Sequence, residues 1–316
     1  MNMPSPLSNL HPYEYEHPFD AKALNMLEGT VGLDTLIKLF NKHAVERWIT
    51  IQYTGSNLKL TKETYPEIYS SLEKACAILN LPNLPDFYVE QDHHINGFTV
   101  GVERPIIVLT SGAIDALTED ELLYLIGHEV GHIKSRHTLY HQMGRYLPII
   151  ADIAGQATLG IGKLISSPAQ LALIHWGHVS EFTADRAGLL ACQNVDTAIR
   201  VMVKWAGMPH KHYKSISTES FIKQARDFET LDYDQLNMVM KFYLQMNSTH
   251  PWTVMRAAEL LRWIDGGAYS SVLNRESTKH IKKLYQGDSI ICRNCDRRLN
   301  GNEKFCPGCG VNLVAI

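Results

Sequence analysis

The chain has 316 residues, 45% of them hydrophobic and 20% charged, which is normal for a globular protein with a core of useful size. A net charge of −3 and a pI near 6.6 give no global attraction to nucleic acid or to an anionic membrane, so no nucleic-acid partner is expected.

The opening MNMPSPLSNLHPYEYEHPFD lacks the basic and apolar regions of a signal peptide. Residues 1–20 are rich in Pro, His and Tyr and show no period, which predicts an irregular arm, docked on the domain or partly disordered. Helices are expected over 33–45 and 64–80. In the second, Thr64 is a candidate cap, Pro66 suits the first turn, and Ile68, Leu72, Cys76 and Leu79 form one stripe. FYVEQ (88–92), GFTVG (97–101) and PIIVLT (105–110) are β-branched and aromatic and read as strands of a small sheet. Thr118 and Glu121 then form a capping box, and Leu122, Leu123, Ile126, Val130 and Ile133 carry an apolar face to about Arg136. A mixed, Gly-containing region runs to about residue 176. A helical stretch over 180–193 and a mainly helical remainder to about 285 follow, and QGDSI (286–290) reads as a linker.

No run of about 18 uncharged apolar residues is present, so no transmembrane span is predicted. The nearest candidate, 147–175, is interrupted by Asp152 and Lys163. It reads as core helices around a Gly-rich turn or, alternatively, as an interfacial hairpin that makes peripheral membrane contact or gates a cleft.

His128-Glu129-Val130-Gly131-His132 follows the H-E-x-x-H pattern. A spacing of four puts both imidazoles on one helix face, one turn apart, where they can bind one zinc ion. Glu129, offset by about 100°, can address a water there and remove its proton. Gly131 is costly inside a helix, which points to close packing of another backbone. A catalytic zinc site needs a third protein ligand. Glu181, in SEFTADRAG, is the best candidate, and Asp185 lies one turn on, where it could accept the outer N–H of a ligating histidine. A solvated helix with two surface acids is the other reading of that pair. His93, His94, His137 and His141 read as surface or packing residues. His137 would lie on the same helix, but five residues after His132 it points away from the shared face.

HEVGH followed by EFTAD resembles the M48 peptidases, the group with the heat-shock and CAAX-prenyl protease types. INGFTVG (95–101), IVLTSGAIDALTEDELLYLIGHEVGH (107–132) and HPWTVMR (250–256) extend the resemblance over roughly residues 60–265. It implies a zinc ion on His128, His132 and Glu181 with Glu129 as general base. It also implies that His250 and Arg256 face the cleft and stabilise an oxyanion, and that Asn96, Gly97 and Phe98 belong to an edge strand pairing with substrate. Arg186 would be structural, paired with an acid near the site. The family's membrane-bound members carry clear transmembrane helices, which this chain lacks.

Of six cysteines, Cys76 and Cys192 sit in apolar helical patterns and read as core. Cys292-x2-Cys295 and Cys306-x2-Cys309, ten residues apart, form two knuckles for a closed, structural four-thiolate zinc site, and the segment resembles a zinc ribbon. Two disulfides are the alternative.

The sequence therefore predicts an α+β, mainly helical, zincin-like (gluzincin) fold with a small sheet plus a C-terminal zinc ribbon. The expected units are an irregular arm (1–20), a metallopeptidase domain (21–286) and the ribbon (290–314). The expected cofactors are one catalytic and one structural zinc, the expected partner is a protein or peptide substrate, and the ribbon is a candidate docking module. The expected function is that of a zinc metalloendopeptidase in protein quality control, in the cytoplasm, with peripheral membrane association as the variant reading. A latent enzyme or a chaperone-like binding protein on the same scaffold is the competing function.

Overall fold

The computed structural model describes residues 4–29, 45–155, 168–230, 252–274, 290–291 and 298–299. His250, Cys292, Cys295, Cys306 and Cys309 lie outside the described residues, as does most of the helix predicted over 33–45.

The described chain is mainly helical, with a four-stranded mixed sheet. Its helices are α1 (Pro18–Glu28), α2 (Val45–Ser56), α3 (Pro66–Ile78), α4 (Ser111–Ala116), α5 (Glu119–Lys134), α6 (Thr138–Gly155), α7 (Pro168–Cys192), α8 (Val195–Trp205), α9 (Thr218–Thr230), α10 (Thr253–Asp265) and α11 (Ala268–Leu273). Strands β1 (Leu58–Lys59), β2 (Asp86–Glu90), β3 (Gly97–Val100) and β4 (Ile106–Thr110) lie in the order β1-β2-β4-β3. β2 and β4 are parallel, and the outer pairs are antiparallel. β3 is thus an edge strand. A separate antiparallel pair, β5 (Ile290–Ile291) and β6 (Arg298–Leu299), belongs to the cysteine-bearing segment.

β4 explains how the core divides. Alternate side chains of a strand point to opposite faces. Ile107 and Leu109 enter a core shared with α3, α5, α7, α8 and α10, whereas Ile106 and Val108 enter a second core with α1, α2, α6 and the first half of α7. All five residues of β4 are buried. No helix among the described residues is long and apolar enough to cross a membrane.

The arm takes the docked one of its two expected states: Leu7, Leu10 and Tyr15 are buried, and Leu7 N–H donates to Ile78 O. Three other expectations change. α1 begins inside the arm at Pro18, where proline suits a first helical turn. Thr64 does not cap α3. Tyr65 is the cap residue, without a side-chain bond, and Thr64 hydroxyl hydrogen-bonds Thr61 instead. α7 starts at Pro168, well before residue 180. Its second half is buried almost all round, and a helix buried on every side has no 3.6-residue stripe to read.

Candidate metal centre

The capping box forms as expected at the start of α5: Glu121 carboxylate accepts from Thr118 N–H at 2.8 Å, and Thr118 hydroxyl accepts from Glu121 N–H at 3.4 Å. α5 and α7 then share the most extensive helix packing in the fold. The cause is small residues on both. A Cβ added to Gly131 would overlap Ala187, and one added to Gly127 would overlap Ala191. The helices approach only because those methyl groups are missing, which is the reason for Gly131 that the sequence suggested.

That approach brings together His128 and His132 from α5 and Glu181 from α7. His128 Nε2 and His132 Nε2 are 3.1 Å apart, His128 Nε2 is 3.3 Å from Glu181 Oε2, and His132 Nε2 is 3.4 Å from Glu181 Oε1. A tetrahedral zinc with bonds of about 2.0–2.1 Å has edges of roughly 3.3–3.4 Å. The three donors therefore have the chemistry and the spacing to hold zinc, and all three residues are buried.

Behind His128, the Nδ1 atom is 3.1 Å from Asp185 Oδ1. Arg256 grips that carboxylate through Nε (2.8 Å) and Nη2 (2.6 Å), and Tyr124 hydroxyl donates to it at 2.9 Å. Arg256 Nη1 also lies 3.4 Å from Glu181, and the guanidinium stacks over Trp205. Burial disfavours charge on His128, but Asp185 and Glu181 outweigh it and raise its pKa to about 9 in the protein alone. Burial lowers the pKa of His132, against the pull of Glu181. Burial works to raise Asp185, yet the Arg256 ion pair and His128 hold it below the usual carboxylate range.

Glu129 is buried beside this group, and Thr99 hydroxyl donates to its Oε2 at 2.8 Å. A cavity of about 1140 Å³ opens in front, lined among others by Asn96, Gly97, Phe98, Glu129, Glu181 and Arg256. The edge strand β3 forms one wall. Asn96 Oδ1 accepts from Gly97 N–H, and Phe98 stacks under Arg145.

His93 and His94 are exposed, as expected, but His137 does not point away from His132. It is buried, and its Nδ1 is 3.0 Å from His132 Nδ1. The expected direction requires the helix to run on through His137, whereas α5 ends at Lys134. Arg136 takes a left-handed φ of 60°, and the chain folds back into α6. His132, His137 and His141 thus form a second group of possible metal donors that shares His132 with the first. Arg186 is structural, but it donates to the backbone oxygens of Tyr15 and Glu16 in the arm and stacks over Trp263. Tyr124, Thr99 and Asp20 were missed by sequence reasoning. Tyr124 precedes His128 by one helical turn and could have been found from that spacing, whereas Asp20 carried no local signal.

Residues 62–264 match the profile of Peptidase family M48. The plastoglobule-localized metallopeptidase 48 of Arabidopsis thaliana is 27% identical over 84% of this chain and 76% of its own length. A protease HtpX homolog of Streptococcus uberis is 24% identical over 55% of this chain and 69% of that protein, and one of Dictyoglomus turgidum 32% identical over 32% and 34%. No solved structure matches. With the family profile covering well over half of a chain whose own fold assembles two histidines and a glutamate at zinc spacing, the protein belongs to the M48 family of zinc metallopeptidases.

Proposed function

We propose that the chain is a zinc metalloendopeptidase of the gluzincin type, with His128, His132 and Glu181 holding the catalytic zinc and Glu129 as general base. The approach of the two imidazole Nε2 atoms to 3.1 Å of each other, each within 3.4 Å of one oxygen of the Glu181 carboxylate, with the buried Glu129 beside them, carries this reading. Bound zinc would acidify a water and polarise the scissile carbonyl. Glu129 takes the proton of the attacking water and hands it to the leaving nitrogen. Thr99, by bonding one oxygen of Glu129, fixes which oxygen is left to act. Asp185 orients His128 by accepting its Nδ1–H. Arg256 has its guanidinium engaged with Asp185 and Glu181, so we assign it to holding those carboxylates, and His250 to the oxyanion.

Among the described residues β3 has one edge without a strand partner and borders the cavity, which suits backbone pairing with an extended peptide at Asn96, Gly97 and Phe98. The cysteine pairs after residue 290 form, in this reading, a zinc ribbon that holds a second, structural zinc and offers a docking module. Cysteine usage suits a reducing compartment, so the cytoplasm is the proposed location, and protein quality control follows from the resemblance to heat-shock proteases.

The test is Glu129→Gln in a peptide-cleavage assay with metal analysis. Cleavage should fall by about 10²–10⁴-fold with two zinc ions per chain retained. Undiminished cleavage overturns the mechanism, and a count of one zinc in the wild type removes one of the two sites.

A further inference from the structure

The two histidines proposed to bind zinc are backed differently. His128 has a carboxylate directly behind it. Behind His132 stands another histidine, His137, and behind that a carboxylate, since His137 Nε2 is 3.1 Å from Asp20 Oδ2. Asp20 is fully buried in the first turn of α1, where the helix dipole favours a carboxylate. Trp176 Nε1–H donates to its Oδ1 at 2.9 Å and Thr183 hydroxyl to its Oδ2 at 2.6 Å. These bonds, from two points on α7, lock the carboxylate against the helix that carries Glu181. Asp20 lies outside the segment matched to the M48 family, residues 62–264.

We propose that Asp20, acting through His137, is a positioning residue for the catalytic zinc: the two fix the tautomer and the ring orientation of His132. The inference rests on His132 being a zinc ligand, as proposed above. The proton bookkeeping has one consistent solution when both rings are neutral. His132 presents Nε2 to Glu181 and to His128 Nε2, so its proton sits on Nδ1. His137 must accept that proton's hydrogen bond at its own Nδ1, so its proton sits on Nε2 and points at Asp20, which can only accept. A carboxylate at the end of such a chain makes the ligating nitrogen a better donor to metal. His141, the third histidine of this group, has its Nε2 2.8 Å from Ser180 hydroxyl.

A simple docking role for the arm would affect folding; a positioning role affects metal affinity with the fold intact. The full-length protein is loaded with cobalt or zinc, and affinity is read by chelator competition. Cobalt is added to protein whose cysteines are already filled with zinc, so that weak d–d absorption without thiolate charge-transfer bands reports the His/Glu site alone. Circular dichroism of the metal-depleted protein checks folding. His137→Leu should weaken binding at the His/Glu site by about 10–100-fold, and Asp20→Asn by the lower part of that range. His137→Asn, whose amide oxygen replaces the Nδ1 acceptor, should recover most of the affinity. Should His137→Leu fail to fold, Asp20→Asn, which leaves His137 in place, decides the matter alone. Wild-type affinity and spectrum in Asp20→Asn and His137→Leu overturn the inference, provided His132→Ala loses the d–d signal. Equal losses in His137→Leu and His137→Asn also overturn it, because the acceptor then does not matter. A His132→Ala protein that keeps the d–d signal defeats the ligand assignment itself.

Discussion

The two sides of the metal centre solve one problem with different materials. On the His128 side, a charged acid touches the ring and is neutralised by Arg256 from α10. On the His132 side, a second imidazole touches the ring and the acid stands one step back, contributed by α1. The pKa directions follow: the direct carboxylates raise His128 to about 9, while burial prevails at His132 and lowers it. One side is a buried ion pair that holds its histidine tightly and favours its protonated form. The other is an imidazole relay that orients its histidine, whose lowered pKa leaves it free of a competing proton.

Breaking the charged side has the largest expected effect on stability. Arg256→Met leaves Asp185 buried without its guanidinium, and removing one partner of a buried ion pair costs about 3–5 kcal/mol. A urea titration of metal-depleted protein should show the unfolding free energy falling by that amount, through a lower midpoint at an unchanged slope. Asp20→Asn should cost clearly less: it strands no buried charge, the amide oxygen can keep the Trp176 N–H bond, and the Thr183 hydroxyl can turn to accept from the amide nitrogen. Equal losses would erase the contrast between the two sides.

How much of each side could be read in the sequence differs for a physical reason. His128, His132, Glu181 and Asp185 lie at spacings of four on two helices, and one-turn periodicity is a local property of the chain. Gly131 was legible for the same reason, as a costly residue inside a motif helix. The packing it permits can be tested. Gly131→Ala should overpack the α5–α7 contact, cost about 1–3 kcal/mol and weaken zinc uptake by separating Glu181 from the histidines. Gly144→Ala on α6, where an added Cβ meets nothing within 4 Å, should instead be neutral or stabilising by up to about 1 kcal/mol. Calorimetric unfolding of both variants checks the pair. The relay was illegible. His137 was misread because its direction depends on a helix ending three residues earlier, and on a left-handed Arg136 that no motif announces. Asp20 meets His137 across more than a hundred residues of chain, in an arm whose own composition suggested no structure. Nor could the early start of α7 be seen, since burial on all sides removes the stripe on which helix reading depends.

The smallest effect is the sharpest discriminator between the sides. Zinc needs a neutral imidazole, so a histidine with a raised pKa must lose a proton to bind. His128, at about 9, carries that proton at pH 7, whereas His132, with its pKa lowered, does not. Zinc uptake at this site should therefore release one proton at neutral pH and none above about pH 9. Across that window affinity should fall by about tenfold for each unit of acidification. Asp185→Asn removes one of the two carboxylates that raise His128, so its proton release at pH 7 should drop and its affinity profile flatten. The difference between wild type and this variant cancels any protons lost by the cysteines. His137→Leu should weaken binding yet leave the count unchanged, because it acts on the ring that is already neutral. Calorimetry in buffers of different ionisation enthalpy reads the count directly. If His137→Leu altered the count and Asp185→Asn did not, the roles of the two sides would have to be exchanged.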